Sequence, residues 1–83
     1  MYHAVITVTL RSSILDPEGK AIEHALQSLS MKEVSRVRVG KRIELRVDAP
    51  DEERARAIVD EACRKLLANP VMENFQYSLE RTA

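Results

Sequence analysis

The sequence predicts an α+β chain in the order strand, helix, strand, strand, helix, strand, a βαββαβ ferredoxin-like two-layer sandwich whose antiparallel sheet carries two helices on one face. Three observations point there. Residues 2–10 alternate with a period of two, two later stretches place apolar residues at helical spacing behind an acidic start, and residues 34–48 and 75–79 return to the two-residue period. There are no repeats, linkers or low-complexity segments, so all 83 residues form one domain.

The first strand covers residues 2–10. Tyr2, Ala4, Ile6, Val8 and Leu10 share one side, and His3, Val5, Thr7 and Thr9 the other. The second side keeps Val5 and two threonines, as expected of a central strand or of one covered by another subunit. A loop over residues 11–16 leads to Asp16-Pro17, a helix start in which the carboxylate caps an amide and proline takes the first helical position. Glu18 adds negative charge where the helix dipole favours it. Ile22, Ala25, Leu26 and Leu29 form the apolar stripe, predicting a helix over 17–30 with Lys20, Glu23, His24 and Gln27 on its polar side.

Residues 34–39 and 43–48 read as a hairpin. A two-residue turn at Gly40-Lys41 would oppose Val37 to Glu44, whereas the odd-length loop 40–42 opposes Val39 to Ile43 and Val37 to Leu45. Because a one-residue slip exchanges the faces, the odd loop or a bulge is preferred. Pro50 to Glu53 opens the second helix. Its stripe is Ala55, Ile58, Val59, Ala62, Leu66 and Leu67, with Cys63 inside it. Glu52–Arg56, Asp60–Arg64 and Glu61–Lys65 are ion pairs four residues apart in the favourable orientation. Asn69-Pro70 ends this helix. Phe75, Tyr77 and Leu79 then alternate with Gln76 and Ser78 in a last strand.

Composition limits what such a chain can do. A domain of this size has a marginal core and usually gains stability from a disulfide, a metal or a partner chain. Cys63 is the only cysteine, which excludes a disulfide within the chain. His3, His24 and Cys63 lack zinc spacing, so no metal site is expected. Oligomerisation remains. Thirteen basic and thirteen acidic residues give zero formal charge, without the global positive field of a nucleic-acid binder. No stretch approaches the ~18 apolar residues of a membrane helix. The strand-like start at Met1 has no charged-then-apolar leader, so a cytoplasmic protein without nucleic-acid or membrane partners is expected.

Chemistry is sparse. With glycine only at Gly19 and Gly40, no phosphate loop can form. Cys63 lies late on a buried stripe, where it reads as a small core hydrophobe rather than a nucleophile. His24 sits mid-helix with no nucleophile spaced to meet it. Arg36, Arg38, Lys41, Arg42 and Arg46 concentrate positive charge. They fit either a solvated face or a partner's carboxylates; RNA recognition would need aromatics that these strands lack. Gly19, at the third helical position, is unexplained by capping and fits the close approach of another backbone. The expected subunit contacts are Asp16, Gly19, Lys20, His24, Arg36, Arg38, Lys41 and Arg42.

Three segments, Leu15 to Ala21 with Ala25-Leu26, Val37 to Lys41 with Ile43-Glu44, and Lys65 to Val71, resemble the PurS family, small subunits of phosphoribosylformylglycinamidine synthase. They lie in the family's order and span nearly the whole chain. Two departures are Ser30, where the family often has Gly, and Asn74-Phe75, where it commonly has an acidic residue and Tyr. The resemblance implies a non-catalytic homodimeric or homotetrameric subunit in purine biosynthesis. It would bridge a glutaminase, PurQ, and an ATP-dependent synthetase, PurL, so that ammonia from glutamine reaches formylglycinamide ribonucleotide. The complex uses ATP, Mg and glutamine, while this chain is expected to bind no cofactor. An ACT-type sensing domain is the alternative, although such domains usually carry glycine in the loop that here runs from Arg11 to Asp16. An acylphosphatase would need a glycine-rich cradle and an Asn that the hairpin does not have.

Overall fold

Residues 1–82 are described in a computed structural model. The element order is β1 (Tyr2–Leu10), α1 (Pro17–Ser28), β2 (Gly40–Val47), α2 (Glu52–Ala62) with a π-helical turn (Cys63–Leu67), and β3 (Glu73–Arg81). The sheet is antiparallel, in the order β2-β1-β3. Tyr2 lies opposite Val47 and Arg81, and Ile6 opposite Ile43 and Tyr77. The α+β class, the antiparallel sheet and the two helices stand as expected, and β1 is the central strand that its two-sided apolar character foretold.

Alternation on β1 decides where the core sits. Tyr2, Ala4, Ile6 and Val8 are buried, and Ala55, Val59 and Cys63 of α2 and its π-helical turn cover them. Ile43 and Leu45 on β2, and Phe75, Tyr77 and Leu79 on β3, share that face but are only half-buried. The three expected ion pairs of the second helix form, Glu52–Arg56 at 3.1 Å, Asp60–Arg64 at 2.7 Å and Glu61–Lys65 at 2.6 Å. Asp51 caps α2 by accepting from the Arg54 amide at 2.8 Å.

Two expectations need correction. Within this chain the sheet has three strands, because residues 34–39 form no hairpin with β2. Gly40 begins β2 instead of turning, and β2 pairs with β1 from Thr9↔Gly40 onwards. Neither glycine has a positive φ; a Cβ on Gly40 would press on the Val8 carbonyl and the Thr9 methyl, which explains glycine there sterically. Arg36, at φ 56°, breaks the extended run. The amides of Val37 and Val39, which a ladder would use, are taken by Glu23 and Asp16.

Secondly, α2 alone covers the sheet. Along the predicted stripe of α1, Ala25 is exposed, Leu26 half-buried, and Ile22 and Leu29 are 39% and 71% exposed. Leu15 and Met31 beside it are exposed too. The Cα radius of gyration is 16.4 Å, against about 12 Å for a compact chain of this length. The long axis of 52 Å matches a strand of nine residues, about 30 Å, continued by a twelve-residue helix of about 18 Å. α1 and residues 34–39 therefore form an arm beyond the end of the sheet. Each large apolar side chain left in water on that arm forgoes about 1.5–3 kcal/mol of burial.

Candidate functional site

The arm is built around Asp16. Its Oδ1 accepts from the Gly19 amide at 2.9 Å, closing the N-terminus of α1, and its Oδ2 accepts from the Val39 amide at 2.8 Å. One carboxylate thus ties the helix start to the chain entering β2. These two amides, with the nearby Arg38 charge, hold the Asp16 carboxyl below its ordinary value despite its burial. Gly19 is buried against the same segment, and a Cβ there would collide with the Val37 carbonyl oxygen. The backbone approach expected at Gly19 exists, and it comes from this chain itself.

Further along, Glu23 accepts from the Val37 amide at 3.2 Å, and Gln27 donates to the Val34 carbonyl at 3.2 Å. α1 and residues 34–39 therefore run side by side in opposite directions. Arg38 closes the junction with the sheet by donating to the carbonyls of Arg11 at 2.9 Å and Ile14 at 3.0 Å. Its guanidinium has no acceptor role to confuse the geometry, and its planar fork suits several carbonyls at once.

Of the eight expected contact residues, Asp16, Lys20, Arg36 and Arg38 line one open cleft of about 420 Å³, with Leu15 and Glu23. Lys20 lies 3.8 Å from Glu23, and Arg36 is exposed in its left-handed conformation. Asp16 and Gly19 face inward. Their first task is to fix the arm, and they offer little surface. His24 is exposed on α1, away from the cleft, and its carbonyl accepts from the Ser28 hydroxyl at 3.0 Å. Lys41 and Arg42 belong to β2, where they lie 4.0 Å from Glu73 and 3.8 Å from Glu44. Glu23 was not singled out from sequence. Only its spacing of seven from Asp16, two turns along the same helix face, could have flagged it.

Cys63 is buried, and burial pushes its thiol up. Among the described residues no group of three potential metal ligands occurs, and no helix is long and apolar enough to cross a membrane. What the molecule displays is an apolar helix stripe and a cleft lined by charges of both signs.

Such a molecule is a small two-layer α+β protein with its conspicuous features on an outer surface. Comparison with known proteins narrows that class. The family model described as PurS, phosphoribosylformylglycinamidine (FGAM) synthase, matches residues 3–81. The chain is 50% identical to the PurS subunit of Synechocystis over 94% of its length and 78% of that protein's. It superposes on a crystal form of Bacillus subtilis PurS with a TM-score of 0.88 at 43% identity, covering 98% of this chain and 100% of that one. A chain in the structure of PurLQS from Thermotoga maritima matches with a TM-score of 0.88 at 38% identity, over 95% and 96% of the two chains. The chain belongs to the PurS family, subunits of FGAM synthase, a ligase of purine biosynthesis.

Proposed function

We propose that this chain is a non-catalytic, self-associating accessory subunit that holds the glutaminase PurQ and the synthetase PurL together, so that ammonia released from glutamine reaches formylglycinamide ribonucleotide. The observation that carries this reading is the arm, which a set of hydrogen bonds centred on the buried Asp16 holds out from the sheet with an uncovered apolar stripe. A monomer gains nothing from that arrangement, whereas a subunit that must touch other chains does. The likeness to a chain of the Thermotoga maritima PurLQS structure supports the choice of partners. In this reading ATP, Mg and glutamine are handled by the larger subunits, this chain binds none of them, and the complex works in the cytoplasm. Holding the two active sites together raises the effective concentration of ammonia at the second site.

Reconstitution tests the proposal. Mixed with the two large subunits, the chain is expected to restore glutamine-dependent synthesis while leaving ammonia-dependent synthesis unchanged. Equal glutamine-dependent activity with and without it would remove the proposal.

A further inference from the structure

β3 is an edge strand, and its alternation shows which backbone groups it leaves unpaired. The Thr82 amide donates to the Met1 carbonyl and the Arg11 amide to the Met72 carbonyl, each at 2.9 Å, continuing the β1–β3 register at both ends. Even-numbered residues of β3 therefore bond to β1, and odd-numbered ones turn their amides and carbonyls away from it. Glu73 gives its amide to the Asn69 carbonyl at 2.8 Å. Phe75, Tyr77, Leu79 and Arg81 point theirs outward, where the described chain supplies no further strand. Edges of native sheets are usually guarded by charge, proline or a bulge. The opposite edge, β2, carries Lys41, Arg42, Glu44 and Arg46, whereas β3 has no charge from Asn74 to Leu79. Apolar residues of both edges are half-buried, so burial does not choose between them; the charges do. An open cleft of about 600 Å³ borders Asn74, Phe75 and Gln76 and leaves this edge accessible.

We infer that β3 pairs antiparallel with β3 of a second copy about a two-fold axis at Tyr77, joining two three-stranded sheets edge to edge. The strand's own sequence sets the register. Overlapped over all nine residues, it opposes Glu73 to Arg81, Asn74 to Glu80, Phe75 to Leu79 and Gln76 to Ser78. Odd residues then face odd ones, so the outward amides and carbonyls of Phe75, Tyr77 and Leu79 meet their counterparts, and the apolar side chains stay on the α2 side of both sheets. Opposite charges meet at the ends, amide and hydroxyl groups meet on the other face, and no like charges stand opposite each other. A shift by two residues sets Glu73 against Leu79, or Arg81 against Phe75, and shortens the ladder. The contact is isologous and closes on itself. It involves neither α1 nor residues 34–39, so the arm stays available for other contacts. This inference rests on the self-association in the proposed function and gives it a surface separate from the arm.

Gln76 and Ser78 are exposed, so Q76K/S78K sets lysine opposite lysine across the contact without touching the core. Light scattering at tens of micromolar is expected to give this variant half the mass of the wild type, with the same far-ultraviolet circular dichroism spectrum. Cysteines read the register in chains that also carry C63A. Positions 76 and 78 of facing strands lie about 4.5 Å apart between Cα atoms, within disulfide reach. Each lies about 7–8 Å from its own counterpart, beyond that reach. Mild oxidation of a Q76C chain mixed with a tagged S78C chain is therefore expected to give the mixed covalent dimer, and neither chain alone should crosslink. Equal masses for the wild type and Q76K/S78K would overturn the inference. So would a mixture that does not crosslink, or Q76C or S78C alone crosslinking as fast as the mixture. Reconstituted glutamine-dependent synthesis separates this from the adaptor reading. A Q76K/S78K chain of halved mass that still supports synthesis leaves both standing, whereas a wild-type chain that adds nothing to synthesis removes the adaptor reading and leaves the mass difference and the crosslink untouched.

Discussion

Asp16 commits both carboxylate oxygens to backbone amides from different parts of the chain, and only an acid can do this. Asn would keep the cap through its carbonyl but would turn an NH2 towards the Val39 amide, donor facing donor. We expect D16N to unfold at lower urea concentration at neutral pH. The pH dependence follows from the depressed folded-state pKa. The wild type's advantage is complete above the ordinary aspartate range and is lost as pH falls through the depressed value, so the two urea midpoints converge in acid. Parallel midpoint curves down to the acid limit would contradict this. Ser30 shows the opposite economy. It occupies the left-handed position after α1 at φ 69°, where the Met31 amide donates to Leu26 and the Ser30 amide to Gln27, both at 3.1 Å. This is a Schellman ending made without glycine. S30G is expected to stabilise the chain by about 0.5–1 kcal/mol in urea unfolding, as relief of left-handed strain exceeds the added freedom of the unfolded chain.

Among the elements, β1 and the α-helical part of α2 behave as their patterns demand, because each finds its partner within the chain, whereas Leu66, which the helical spacing places on the buried stripe, is 83% exposed because the turn that carries it is π-helical. The acidic start of α2, its three ion pairs and its buried small residues were all readable, and so was the burial of Cys63. That burial makes a prediction of its own. The thiol should resist a thiol reagent in the folded protein and react at the rate of a free cysteine in denaturant, with unfolding limiting the native reaction. Fast native labelling would place Cys63 at the surface. Residues 34–39 were misread because period-two alternation records an extended backbone with two unlike sides, and does not record what the backbone bonds to. Val37 and Val39 alternate with Arg36 and Arg38 as a strand would, yet Glu23 and Asp16 stand where a neighbouring strand's carbonyls were expected. The helical period of α1 was likewise read correctly, while the surface that its stripe meets was not.

At the scale of the molecule, the departure from compactness is the informative feature. A chain of 83 residues can bury only part of its surface, and this one leaves a helix stripe and half a sheet face unpaired. The expectation that it gains stability from other chains came from composition, by eliminating disulfide and metal. The arm gives that expectation a location. The sequence by itself determined the class, the strands β1 and β3, both helices with the Asp16 cap of the first, the buried cysteine and the family, because these depend on local periodicity, capping chemistry and motif order. Only the tertiary structure decided that Asp16, Gly19 and Arg38 fasten an arm and that residues 34–39 join no sheet. It alone left α1 off its own sheet. These outcomes depend on which of several chemically equivalent acceptors each amide finds, and that choice is made by distance between segments remote in sequence, which no local pattern encodes.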